Sequence, residues 1–420
     1  MSDTLDCDVL VIGAGLAGLQ CARTLQRAGV HTQVWEAGDA VGGRIRTDRV
    51  DGFLMDRGFQ VLNPAYPAVQ RHIDVEALQL QTFGSGALVR REDRLAVLAD
   101  PLREPAHLPD VLRSGYLVPQ DLLALARWAG PAVGPSSAMK AGPDTPRSVS
   151  LDAAGLHGDL RRVVEEFLAG VLLEDDGSTS TAFTRLLVRM FAFGSPGLPA
   201  SGMQALPQQI ADRLHAPVRL GTRVRSVDQG TGRATVHADG LSATARLVVV
   251  ATGAGAAEEL VGLTAPATKG VVTDWFTMPE PPAAPRMLVL DGRTPSGGPV
   301  RNAAVITDTA PSYAPPGQHM VQASSLVRDG RVPPVSDVLR HVGELYAVGT
   351  GQWELVHRHE VPQALPVQPP PLRLRRPMQV SESVVVAGDH MDTASIQGAL
   401  VSGERAAQGW LSRTASRTGR

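Results

Sequence analysis

The sequence predicts an α/β fold: a Rossmann-like nucleotide-binding domain assembled from several segments, with an α+β domain inserted between them. Three observations predict it. Residues 8–18 read D-V-L-V-I-G-A-G-L-A-G, an apolar run followed by G-x-G-x-x-G and a helical pattern. A second apolar run ends at Glu36, about 20 residues beyond those glycines. Near the other end of the chain a third run, Val384 to Ala387, ends in Gly388-Asp389.

Each element has a physical reason. Val9 to Ile12 read as a buried parallel strand. Gly13 allows a tight turn, Gly15 admits a pyrophosphate to the backbone, and Gly18 lets helix and strand pack closely. Leu16 and Ala17 open the helix, whose positive N-terminal end faces the phosphates. Glu36 is placed to accept hydrogen bonds from ribose hydroxyls. Ala37 then leads into Gly42-Gly43-Arg44. The glycine pair permits a second close backbone approach, and Arg44 offers a cationic donor fork.

Further along, 87–90 and 95–98 flank Arg91-Glu92-Asp93-Arg94 and read as a hairpin. Residues 100–214 are mostly helical by period, with Val163, Val164, Phe167, Leu168, Val171 and Leu172 on one face. A loop rich in Pro, Gly and Ser interrupts this region at 130–150. Residues 216–252 return to strands and end in Ala251-Thr252-Gly253. Residues 268–330 form a second strand-rich stretch, and a helix is predicted over 335–348. The proline-rich 362–377 read as an extended loop. A strand at 383–388 and a helix at 395–410 close the chain.

Composition narrows the function. At 420 residues the chain can hold two or three packed units. A net charge of −2 leaves no nucleic-acid footprint. No apolar run reaches the roughly 18 residues of a membrane span, although peripheral membrane contact stays open. The first strand begins near Cys7, which leaves no room for a signal peptide and points to the cytoplasm. Cys7 and Cys21 read as small buried hydrophobes, not a redox pair. No metal is expected: His357 and His359 alternate on a predicted strand, but no acidic or cysteine spacing accompanies them.

The motifs V-I-G-A-G-L-A-G-L (11–19), E-A-G-D-A-V-G-G-R (36–44), D-R-G-F-Q-V-L (56–62) and A-G-D-H-M-D-T-A-S-I-Q-G-A-L-V-S-G-E-R-A-A (387–407) resemble one family. It is the flavin family that includes monoamine and polyamine oxidases, phytoene desaturases and protoporphyrinogen oxidases. The resemblance implies a GR2-type FAD-binding domain from segments 1–85, 215–266 and 379–420. It implies a substrate domain from the mainly helical 86–214 and the strand-rich 267–378. It also implies further FAD contacts. Gly58, Phe59 and Gln60 would run under the isoalloxazine ring, although Phe59 reads equally as core. The Val224 backbone would meet adenine, and Gly253 would approach from the same side. Asp389, after Gly388, would lie against the flavin rather than merely cap a helix. Ser395, Ile396 and Ala399 would open a helix whose dipole faces the ring.

The catalytic candidate is Lys269, at the start of a predicted substrate-domain strand. By the resemblance it would hold a water beside flavin N5 and assist reoxidation by oxygen; a solvated strand-end lysine is the alternative. Met203, in Gly202-Met203-Gln204, would line the cavity or simply be buried. Two departures from the monoamine oxidases stand out. Ser395 occupies the position of a substrate-flanking tyrosine, and no cysteine follows Cys21 to attach flavin, so FAD is expected to be noncovalent. The expected reaction is removal of a hydride from a small molecule's C–N or C–C bond. A desaturase or isomerase of an apolar isoprenoid- or porphyrinogen-like substrate is the alternative, and an escort-type binding protein without turnover a third.

Overall fold

The computed structural model describes residues 5–135, 139 and 143–418. Cys7–Ile12 is apolar at almost every position because it is covered on both faces. It lies between two parallel neighbours, Thr32–Trp35 and Leu241–Val250, with Val11 opposite both Val34 and Val249. Val384–Val386 pairs in parallel with Leu241–Val250, and Gln379–Ser381 closes that edge. The antiparallel hairpin Val224–Gly230 and Arg233–Ala238 attaches to the outer part of Leu241–Val250. Strands from the start, middle and end of the chain thus share one seven-stranded sheet.

Two close approaches fasten helices to this sheet. The helix Leu16–Arg27 follows the first strand, and a Cβ on Gly18 would meet the Gly13 carbonyl oxygen at 1.9 Å. The final helix, Ile396–Thr418, crosses it so tightly that a Cβ on Gly403 would meet the Ala17 carbonyl oxygen at 2.0 Å. Only glycine allows either contact.

A second seven-stranded sheet runs in the order Glu354–Pro366, Thr268–Met278, His319–Val327, Val300–Val305, Leu288–Asp291, Gly86–Arg90, Leu95–Ala99. Every pairing is antiparallel except Leu288–Asp291 with Gly86–Arg90. Helices Pro119–Val133, Arg147–Ala154, Gly158–Leu172 and Thr181–Phe193 pack together around Trp128, Leu151, Leu168 and Phe183. On Gly158–Leu172 the predicted face holds: Val163, Leu168 and Leu172 are buried.

Several boundaries differ from expectation. The loop predicted at 130–150 falls partly outside the described residues; of what is described, the helix runs on to Val133, Met139 is helical, and a further helix begins at Arg147. The extended loop predicted from 362 begins only after Pro366, because Glu354–Pro366 is an edge strand. Prolines are tolerated there, since one side of an edge strand needs no ladder hydrogen bonds. The helix predicted over 395–410 continues to Thr418. Both cysteines are buried and unpaired, and burial pushes each thiol up to about 12.

Candidate active site and family

The carboxyl ends of the parallel strands converge on one corner, where open α/β sheets bind ligands. Gly13 takes φ +100° after Ile12, and its N–H donates to the Trp35 carbonyl at the end of the neighbouring strand. Gly15 caps the helix Leu16–Arg27, with no side chain bonded to that helix start and no acid in its first turn. Leu16 and Ala17, the first helical residues, are buried. A Cβ on Gly15 would meet nothing within 4 Å, so space opens directly above the helix N-terminus. Such a terminus accepts a phosphate.

The second glycine loop folds against the first. Gly42 bridges to Gly15, and the Gly42 N–H donates to Ala14. Gly43 has φ +60° and lies against the Gly15 Cα. Glu36 fixes the gap between the loops: its Oε2 accepts from the Ala14 N–H at 2.7 Å and its Oε1 from the Gly38 N–H at 2.7 Å. Ala37 is exposed beside it. The segment before Val224 runs alongside, because the Thr222 N–H donates to the Glu36 carbonyl. Gly253 caps the helix Ala254–Val261 and is exposed, two residues past Ala251, whose carbonyl packs on Gly13.

Arg44 joins the two ends of the chain. Its guanidinium lies 2.6 Å from the buried Asp389 carboxylate and donates to the Ala364 carbonyl. Burial alone would raise the Asp389 pKa, but Arg44 holds it below the ordinary value. Gly388 takes φ +158° and donates its N–H to Ser402 Oγ. Ser395 is the N-cap of the final helix, accepting from the Gly398 N–H at 3.1 Å. Ile396 and Ala399 are half-buried on that helix's first turn.

Gly58, at φ +85°, faces Val271 and Val361 of the second sheet. The Phe59 N–H donates to Thr273 Oγ1, and its ring packs edge-on against Phe83 at 5.8 Å. Gln60 Nε2 donates to the Arg44 carbonyl, while its buried Oε1 has no partner. An open helix N-terminus, paired glycine loops, a placed carboxylate, a cation and an unused buried acceptor together fit a dinucleotide flavin.

Lys269 approaches from the second sheet. Its backbone is paired with Leu365, next to the Ala364 that accepts from Arg44. Its Nζ donates to Thr179 Oγ1 at 2.9 Å and to the Leu172 carbonyl at 3.2 Å. Burial lowers its pKa to about 8, against the opposing pull of Glu174 and Asp176.

Two networks were not foreseen. Buried Asp56 accepts from Thr47 Oγ1 at 2.6 Å, the Met203 N–H at 2.9 Å and the Tyr313 hydroxyl at 2.9 Å. Burial raises its pKa to about 6. The same bond fixes Met203 in the core around the first helix, so the buried reading of that residue is the correct one. The reading of His357 and His359 as lacking an acidic partner is also corrected. Asp48 Oδ2 lies 2.9 Å from His359 Nε2, and ligand atoms of all three residues fall within 4.8 Å of one another. Asp48 is 311 residues away in sequence, so no local spacing could show it.

The model of flavin-containing amine oxidoreductases matches residues 16–409. The chain belongs to that family. Its members are flavin-dependent oxidoreductases, and this chain is one. Putrescine oxidase of Kocuria rosea is 42% identical over 79 residues, 19% of this chain but only 16% of that enzyme. An oxidoreductase from Methanosarcina mazei superposes with a TM-score of 0.75 at 17% identity, covering 96% of this chain and 100% of that one. A CLA-producing fatty acid isomerase from P. acnes superposes with a TM-score of 0.69 at 15% identity, covering 97% of this chain and 99% of that one. At these identities the superpositions establish the mixed α/β fold. No described helix is long and apolar enough to cross a membrane.

Proposed function

We propose that this chain binds FAD noncovalently and oxidises a small molecule by taking a hydride from a C–N bond, with oxygen as the acceptor that restores the flavin. The domain assembly proposed is the GR2-type FAD-binding domain with an inserted substrate domain. Bound flavin supplies the hydride-accepting N5 position; the protein supplies binding, orientation and charge. The helix start at Gly15 takes the pyrophosphate. Glu36 takes a ribose, and Arg44 with Asp389 holds the region between phosphate and ring. The Gly58-Phe59-Gln60 loop supports the ring.

The observation that carries the oxidase reading is Lys269. It is a half-buried cation at the start of a substrate-sheet strand, and its backbone register meets the strand residue beside Arg44's acceptor. A desolvated ammonium stabilises negative charge developing on oxygen. The putrescine oxidase relative supports an amine substrate. Mixing the oxidised protein with a panel of amines under air tests this: flavin bleaching with peroxide release is expected from at least one amine.

One observation favours a more apolar substrate. The segment 102–133, a turn followed by the helices Leu108–Arg113 and Pro119–Val133, exposes Leu102 at 91%, Leu112 at 64% and Leu123 at 60%. Where such side chains join into one contiguous patch, they mark lipid or apolar-ligand contact. The fatty acid isomerase shares the fold, and Ser395 is occupied as a helix cap, with no aromatic ring there to hold an amine cation. On this reading no amine bleaches the flavin, and a lipid or porphyrinogen extract does.

A further inference from the structure

Asp48, His357 and His359 stand together on the outer side of the flavin-loop contact. Asp48 belongs to the short strand Thr47–Val50, whose hairpin partner Phe53–Asp56 leads into the Gly58 loop; the histidines belong to the edge strand Glu354–Pro366. His357 and His359 are two apart on a strand and so share a face. Their rings touch, with centroids 4.4 Å apart. Asp48 Oδ2 meets His359 Nε2 at 2.9 Å, and no side-chain hydrogen bond engages His357 among the described residues. His357 and Asp48 are half-buried, which leaves a path from solvent.

We propose that these three side chains bind a divalent first-row transition cation of the Zn²⁺ or Co²⁺ type, clipping the strand Thr47–Val50 to the edge of the second seven-stranded sheet. Two imidazoles and one carboxylate are the donor set such ions prefer over Mg²⁺ or Ca²⁺, and three protein ligands leave positions for water. The ligand atoms already lie within 4.8 Å of one another, so each need move only slightly to reach a common ion at about 2.0–2.2 Å.

Two neighbours set the terms of binding. Arg57 bonds both Asp48 oxygens at 2.9 Å. A carboxylate offers about four lone-pair sites, so this fork uses one on each oxygen and leaves room for the ion. Trp275 Nε1–H donates to His359 Nδ1 at 3.1 Å. Indole can only donate, so the His359 proton now resides on Nε2 and points at Asp48. The cation takes the place of that proton, which moves to Nδ1 and there confronts the Trp275 donor. The site therefore binds reversibly and more weakly than a structural zinc site. Removing the indole donor should strengthen it.

The test uses the full-length flavoprotein, untagged and stripped of metal by chelator. Zn²⁺ uptake is followed by calorimetry and Co²⁺ uptake by visible absorption. The expected result is one ion per chain, weakened at least ~10-fold by His357→Ala and by Asp48→Asn, and tightened ~10-fold by Trp275→Phe. His357→Ala alters a half-exposed side chain, and an unchanged melting temperature shows that the fold survives. Absence of one-equivalent uptake, or uptake indifferent to both His357→Ala and Asp48→Asn, overturns the proposal. Unchanged or weaker binding in Trp275→Phe overturns the assignment of the His359 proton.

Discussion

The Arg44 guanidinium lies 2.6 Å from the Asp389 carboxylate, joining the second glycine loop to the last strand of the parallel sheet. Asp389 is almost fully buried, so its charge depends on this partner. Arg44→Met is expected to weaken FAD binding by about 10–100-fold through loss of charged hydrogen bonds. It should also destabilise the FAD-free protein. Adding Asp389→Asn should recover part of that loss, with a coupling of about 1–3 kcal/mol in denaturant titrations of the four variants.

Asp56 ties its own strand, Phe53–Asp56, to the Met203 turn and to Tyr313. Its folded pKa is raised to about 6 from an ordinary 3.8. The native state therefore holds this proton more tightly than the unfolded chain. Its stabilisation is complete below the unfolded pKa and is lost as pH rises through about 4 to 6. The size is roughly 3 kcal/mol for about two pKa units. Asp56→Asn should remove this contribution. Urea melts at pH 4, 5, 6 and 7 should show the wild type losing stability relative to the variant across that window, and parallel curves would argue against it.

Lys269 is the cation assigned to oxygen. Lys269→Met is expected to slow reoxidation of the reduced flavin by about 10²-fold while leaving anaerobic reduction by substrate nearly unchanged. Its pKa of about 8 adds a second signature. The charge is present below that value, so wild-type reoxidation should fall as pH rises through about 8, and the variant should lack that inflection. Stopped-flow mixing with oxygenated buffer measures both.

Gly403 lets the final helix touch the first. A methyl group there would lie 2.0 Å from the Ala17 carbonyl oxygen. Gly403→Ala should cost about 1–3 kcal/mol as the helices are pushed apart. Because Ala17 is in the first turn after Gly15, FAD affinity should fall with it. A melting temperature and affinity equal to wild type would contradict the packing described.

The folded geometry of the glycine corner was legible in the sequence, because its parts are local. The turn Gly13–Gly18, the Glu36 strand end and the Gly42-Gly43-Arg44 loop each announce themselves within a few residues. Ser395 read as a departure from a tyrosine, and its role as a helix cap could have been inferred from the Gly398 spacing. What stayed hidden depends on long-range contact. Asp48 meets His359 only after the strand Thr47–Val50 packs on the edge strand Glu354–Pro366, and Asp56 meets Tyr313 across 257 residues of sequence. The strand Glu354–Pro366 was half concealed by its prolines, which only an edge position permits.

The converging strand ends are proposed to hold FAD, unattached, as the oxidant. The absorption spectrum of the purified protein, followed by acid precipitation, tests it most directly. A two-banded flavin spectrum near one equivalent per chain is expected, with intact FAD released into the supernatant. A colourless protein that takes up no FAD on reconstitution, or flavin that stays with the precipitate, would contradict it.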